Sequence, residues 1–121
     1  MEYYHFFVHF NEGDYYTCHD LLEEIWLRDR QNLFVKGLLH LSVALYHYSY
    51  GNLKGTTLML TTAKQYLLPY RPFHWSLNIN SILEFIENCL IIIPNDWDSV
   101  SYTKSKRLPR LPHLYLNLDA E

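Results

Sequence analysis

Cysteine is scarce in this chain, and its two representatives, Cys18 and Cys89, stand without any Cys-x-x-Cys companion. That excludes a zinc ribbon and leaves no disulfide framework to staple a small secreted fold, so a reducing, cytoplasmic setting is expected. Positive charge is also in short supply. Lys and Arg number 10 against 13 Asp and Glu, a net charge of −3, so the overall positive field that nucleic-acid or acidic-membrane binding draws on is missing. No apolar run approaches the ~18 to 20 residues of a membrane span. At the start of the chain Glu2 and His5 interrupt what would otherwise read as a signal peptide. A repeat of about 20 to 50 residues is absent as well, which excludes a solenoid.

What is present is apolar and aromatic. Of the 121 residues 49% are hydrophobic, 17% aromatic and only 19% charged, enough apolar surface to offset chain entropy and too much for a disordered chain. The length suits one domain. Placed on helical wheels, the apolar residues gather on one side in successive segments. Tyr3, Phe6, Phe7 and Phe10 share a face in a short first helix that Gly13 stops. Asp14 caps a second helix with Tyr15, Cys18, Leu21, Leu22, Ile25 and Trp26 inward, ending near Arg28. After Asn32, the stretch Leu33 to Tyr50 is apolar almost all round, the mark of a central helix. Gly51 breaks it and Asn52 caps a fourth helix that turns Met59, Leu60, Ala63 and Leu67 inward. Pro69 and Pro72 open a loop, and a fifth helix runs between Ile79 and Ile93 until Pro94.

The fold class is therefore all-α, a compact bundle of about five helices. It occupies 1–94, with an extended, proline-containing tail over 95–121 that packs on the bundle through Leu108, Leu111, Leu114, Leu116 and Leu118 or is partly disordered.

The run from Phe10 through Asn11, Gly13, His19, Asp20, Glu23 and Trp26 has a familiar order, as does a second stretch with Phe34, Lys36, Gly37, Leu38, Leu39, Ala44, Leu45 and His47 before Gly51, Asn52 and Gly55. Roughly residues 10 to 55 resemble the prokaryotic family catalogued as domain of unknown function 309. The resemblance implies a small all-helical protein, and its members are sometimes labelled a predicted metal-dependent hydrolase. Asp20 stands where that pattern usually has Glu, and His40 where it usually has Gln.

The residues themselves define a candidate site. His19 lies between Trp26 and Glu23 on the second helix's wheel, and Lys36, His40 and His47 fall within about 40° of one another on the central helix. With the two helices antiparallel, as their short connection implies, these polar edges meet in a pocket. His19 and Glu23, at i and i+4, have the spacing to chelate one divalent metal. His40 and His47 stand ~10.5 Å apart along the axis, so at most one joins the same ion. Three protein ligands and a water make a hydrolytic centre in which Lys36 stabilises an anionic transition state. The catalytic candidates are thus His19, Glu23, His47 and Lys36, the metal candidates His19 and Glu23, and the ligand contacts Trp26, His40 and Asn52.

Two functions follow. In one, the pocket binds a small ligand or metal and carries out hydrolysis. In the other, the chain is a non-enzymatic interaction or scaffold protein, the His/Glu cluster is a hydrogen-bond network that fixes helix register, and the aromatic surfaces or tail meet a protein partner. Of the remaining signals, His74 and His113 read as solvent-exposed loop residues. Lys104, Lys106, Arg107 and Arg110 read as a solvated basic cluster, and Pro109-x-x-Pro112 as a weak polyproline match.

Overall fold

Two Gly-Asx pairs, Gly13-Asp14 and Gly51-Asn52, punctuate the chain, and the backbone turns at both. In the computed structural model, which describes residues 4–93 and 108–116, Gly13 has φ 80° and Gly51 φ 76°. This left-handed conformation costs glycine nothing and closes a helix by returning N–H groups to its last free carbonyls. The Asp14 amide reaches the His9 carbonyl at 2.9 Å, and the Asn52 amide reaches that of His47 at 3.0 Å. The Asx side chain then starts the next helix: Asp14 accepts from the Thr17 amide and Asn52 from the Gly55 amide.

The helices are α1 (Tyr4–Asn11), α2 (Tyr15–Arg28), α3 (Leu33–Ser49), α4 (Leu53–Leu67) and α5 (Ile79–Ile92). Asn32 and Asn78 cap α3 and α5 through the Val35 and Ser81 amides. The all-helical bundle read from the wheels is the observed architecture. Tyr3, Glu2 and the basic residues Lys104, Lys106 and Arg107 lie outside the described residues.

α3 is the axis of the molecule. Its buried residues include Phe34, Val35, Leu38, Leu39, Leu41, Ala44 and Leu45, and it packs against both α2 and α4. Phe6, Phe10, Leu22, Leu60, Ile82 and Ile86 close the core from the other helices. At fully buried Ser42 the hydroxyl is satisfied by the Leu38 carbonyl at 3.2 Å. Cys18 and Cys89 are both free and buried, and desolvation pushes each thiol up to about 12. They pack as small apolar side chains.

Between α4 and α5 the expected loop contains more structure. A 3-10 turn (Leu68–Tyr70) leads into a hairpin of β1 (Phe73–His74) and β2 (Leu77–Asn78), paired antiparallel. Strands of two residues are too short to show an alternation. The turn between them is made by Trp75 and Ser76, at φ 55° and 59°, where Asn-Gly is the usual signal. His74, expected in solvent, is instead half-buried, with its ring 4.4 Å from Phe34 and 4.9 Å from Tyr70. His113 is exposed. The stretch 108–116 has no helix or strand; the Pro109 carbonyl accepts from the Tyr48 hydroxyl on α3, and Leu116 is buried in the common core.

Candidate functional site

Two aromatic contacts set the register of α2 on α3: the Tyr16 and Tyr46 rings lie 5.3 Å apart, and the Lys36 ammonium sits 5.5 Å above the Trp26 ring. The helices are antiparallel, and His19 is about level with Val43, between His40 and His47. On the other flank of α3 lies α4, which is not packed extensively against α2. The half-buried stripe Lys36, His40, Val43 and His47 thus runs along α3 between α2 and α4.

Lys36 reaches both flanking helices. Its ammonium lies 5.5 Å from the Trp26 ring and 5.1 Å from the Tyr66 ring, and Arg30 adds a second cation at 5.7 Å from Trp26. Cation–π contacts of this kind contribute about 0.5 to 1 kcal/mol each near a surface. Among the described residues the partners of Lys36 are ring faces and not carboxylates. Trp26 also buries its indole N–H without a hydrogen-bond partner among the described residues.

One turn along, His40 Nδ1 is 2.6 Å from the Thr62 hydroxyl, and its ring meets Tyr66 edge-on at 5.4 Å. The Thr62 hydroxyl has a single proton, directed at the Leu58 and Met59 carbonyls at 3.2 and 3.1 Å. When that proton goes to a carbonyl, His40 Nδ1 donates to the hydroxyl and Nε2 carries the ring's lone pair. Burial, with the Lys36 charge second, holds the His40 pKa below its ordinary value, so the ring is neutral at pH 7.

His47 lies against Asn52, whose Nδ2 is 3.4 Å from its Nδ1, and burial lowers its pKa too. Asn52 is thereby fixed twice, since its Oδ1 already caps α4 by accepting from the Gly55 amide at 2.9 Å. On α2, His19 is bracketed by its own helix, with Nδ1 3.4 Å from Asp20 and Nε2 3.2 Å from Glu23. These side chains are 31% and 48% exposed for His19 and Glu23, which leaves the pair partly open to solvent on α2.

The structure thus brings together Trp26, Lys36 and His40, and adds Thr62, Tyr66 and Arg30, which the sequence reading left out. Thr62 and Tyr66 carried a signal, being i and i+4 on the flank of the apolar face of α4. His47 and Asn52 form a separate corner at the α3–α4 turn. Among the described residues no group of three or more His, Cys, Asp and Glu is placed to hold a metal ion. His19 and Glu23 offer two donors, one fewer than a hydrolytic zinc centre takes from its protein.

Residues 3–59 match the family DUF309, a domain of unknown function. The DUF309 match covers α1, α2, α3 and the first half of α4, and so includes His19, Glu23, Trp26, Lys36, His40, His47 and Asn52. Thr62, Tyr66, α5 and the stretch 108–116 lie beyond the DUF309 span. No curated protein and no solved structure matches the chain.

Proposed function

We propose that the stripe on α3 is the floor of a groove between α2 and α4 that binds a small anionic molecule, with Lys36 as its charge and His40 as its proton acceptor. The observation that carries this reading is the environment of Lys36: an ammonium bounded by the Trp26 and Tyr66 faces, with no carboxylate partner among the described residues. An anion docked there gains a charge-assisted hydrogen bond, which is worth about 1.5 to 3 kcal/mol. The His40 Nε2 lone pair, one turn away, is suited to take a proton from a water or hydroxyl group, the general-base step of a hydrolysis. His19 and Glu23 at the rim are the place where a divalent ion would bind.

NMR titration tests this with inorganic phosphate and simple carboxylates as probes. The Trp26 indole signal is expected to shift on binding, and Lys36→Gln to weaken binding at least tenfold. No shift with any probe, or binding indifferent to Lys36, rejects the reading. In parallel, zinc or manganese that raises the melting temperature of the wild type and not of His19→Ala supports a metal at the rim.

A second reading rests on the fact that each histidine of the cluster has an internal partner: Asp20 and Glu23 for His19, Thr62 for His40, Asn52 for His47. In that case the cluster fixes helix register in an interaction or scaffold protein, and His40→Gln changes stability with no change in anion binding.

A further inference from the structure

Along α2 the residues Tyr16, Asp20, Glu23 and Leu27 follow one another at steps of four, three and four, which sets them within about 60° of one another on one side of the helix. None of them belongs to the core. Tyr16 and Leu27 are half-exposed hydrophobic side chains, and the carboxylates of Asp20 and Glu23 are as open to solvent. A solvated helix face ordinarily carries Lys, Glu, Gln or Arg in mixture. This one carries an aromatic ring at one end, a leucine about 16 Å away at the other, and two carboxylates between them.

The aromatic end is enlarged by α3. Tyr46 meets Tyr16 at 5.3 Å with the ring planes at 55°, and Tyr50 meets Tyr46 at 4.8 Å and 77°. The Tyr46 hydroxyl donates to that of Tyr50 at 2.9 Å. Rings inclined at such angles are the walls of a corner and not a flat stacking platform, and a corner of ring faces suits a compact cation, which the negative faces attract. The carboxylates point to the same guest. Among the described residues the ion partner of Asp20 and of Glu23 is His19, at 3.4 and 3.2 Å, and the His19 ring lies 6.3 Å from that of Tyr16. Ring faces and carboxylates thus form one connected patch without a Lys or Arg partner among the described residues, on a chain whose net charge is −3. Arginine satisfies both halves of the patch, because its guanidinium stacks on an aromatic face while its N–H groups bond a carboxylate.

We propose that the exposed face of α2 from Tyr16 to Leu27, with Tyr46 and Tyr50 of α3 at its aromatic end, docks a basic, arginine-bearing segment of a partner protein. One guanidinium sits against Tyr16 and Tyr46 and bonds Asp20, a second cation one turn along meets Glu23, and an apolar residue of the partner covers Leu27. The Lys36 stripe selects the opposite charge, so this surface stands independently of the anion site.

Three fluorescein-labelled, alanine-rich peptides test this against the full chain. One carries two arginines four positions apart and then a leucine; the others have lysine or glutamate in place of both arginines. Binding is read by anisotropy at physiological ionic strength, where diffuse attraction is screened. The arginine peptide is expected to bind at least threefold more tightly than the lysine peptide, and the glutamate peptide not to bind. Tyr16→Leu, which keeps apolar bulk and removes the ring face, should weaken the arginine peptide at least fivefold, and Asp20→Asn at least threefold, while Lys36→Gln leaves it unchanged. No binding, or equal binding of the arginine and glutamate peptides, overturns the proposal. So does sensitivity to Asp20→Asn without sensitivity to Tyr16→Leu, which reduces the effect to the attraction of any polycation for a negative chain. A wild type that dimerises with concentration and takes up no peptide also overturns it and assigns the face to a second copy. NMR of the wild type is an arm that needs no variant: the arginine peptide should shift the signals of Tyr16, Asp20 and Tyr46, and shifts confined to Lys36, His40 and Tyr66 overturn the proposal.

Discussion

His40 is the side chain on which the chemistry and the stability of this bundle meet. Around it stand Lys36 on its own helix and Thr62 and Tyr66 on α4, a setting that offers the protonated ring little solvation and a like charge nearby. Because the folded-state pKa lies below the ordinary 6.5, the unfolded chain binds more protons than the folded one as the pH falls through and below that value. Stability from this group is complete above about pH 6.5 and is lost as the pH drops toward the folded-state pKa; His47, shifted the same way by burial, adds to the loss. Urea unfolding at pH 7.5 and 5.5 should show a smaller free energy at the lower pH, and His40→Gln should reduce that difference. An unchanged difference would place the pH dependence elsewhere. The stripe of Lys36, His40 and His47 was legible from residue spacing alone. Its partners were not, because a wheel gives the angle of a side chain and not the helix it meets. His40 turns to Thr62 on α4, while His19 is engaged with its own Asp20 and Glu23.

At the scale of elements, the approach of α3 to α4 depends on Gly37. A Cβ built there would stand 2.8 Å from the Leu67 side chain and 3.2 Å from Tyr66 Cβ. Leu67 is fully buried, so a shift of its side chain presses on packed neighbours. Alanine at a helix interior ordinarily gains about 1 kcal/mol over glycine, whereas overpacking a well-filled interface costs about 1 to 3 kcal/mol. Gly37→Ala should therefore destabilise the protein by up to about 2 kcal/mol in chemical denaturation, and a stabilised variant would show that the two helices separate without cost. The caps and helix limits were legible because Asx and Gly act locally, through one or two hydrogen bonds within a few residues. The hairpin was not, since Trp75 and Ser76 take a positive φ that neither residue type announces. The ring packing of Phe34 with Tyr70, His74 and Trp75 holds that turn through contacts distant in sequence.

For the whole molecule, Leu41 and Leu116 stand for two kinds of core position. Leu41, on α3, is at 0% exposure, and Leu116, at 6%, joins the same cluster from the stretch 108–116. Around Leu41 the fully buried neighbours are fixed by their own packing, so truncation leaves a cavity that cannot collapse. Leu41→Ala should cost about 2 to 5 kcal/mol. The environment of Leu116 differs, because it belongs to a nine-residue stretch without helix or strand, held by the Asn11 amide and the Tyr48 hydroxyl, and a cavity costs less where its surroundings relax. Leu116→Ala should cost less than half as much as Leu41→Ala. Tryptophan fluorescence and far-UV circular dichroism through urea unfolding measure both. In Leu41→Ala the two probes should shift together to lower urea, as one core shared by α1 to α5 requires. Equal losses for the two variants would mean that residues 108–116 are as integral to the core as α3.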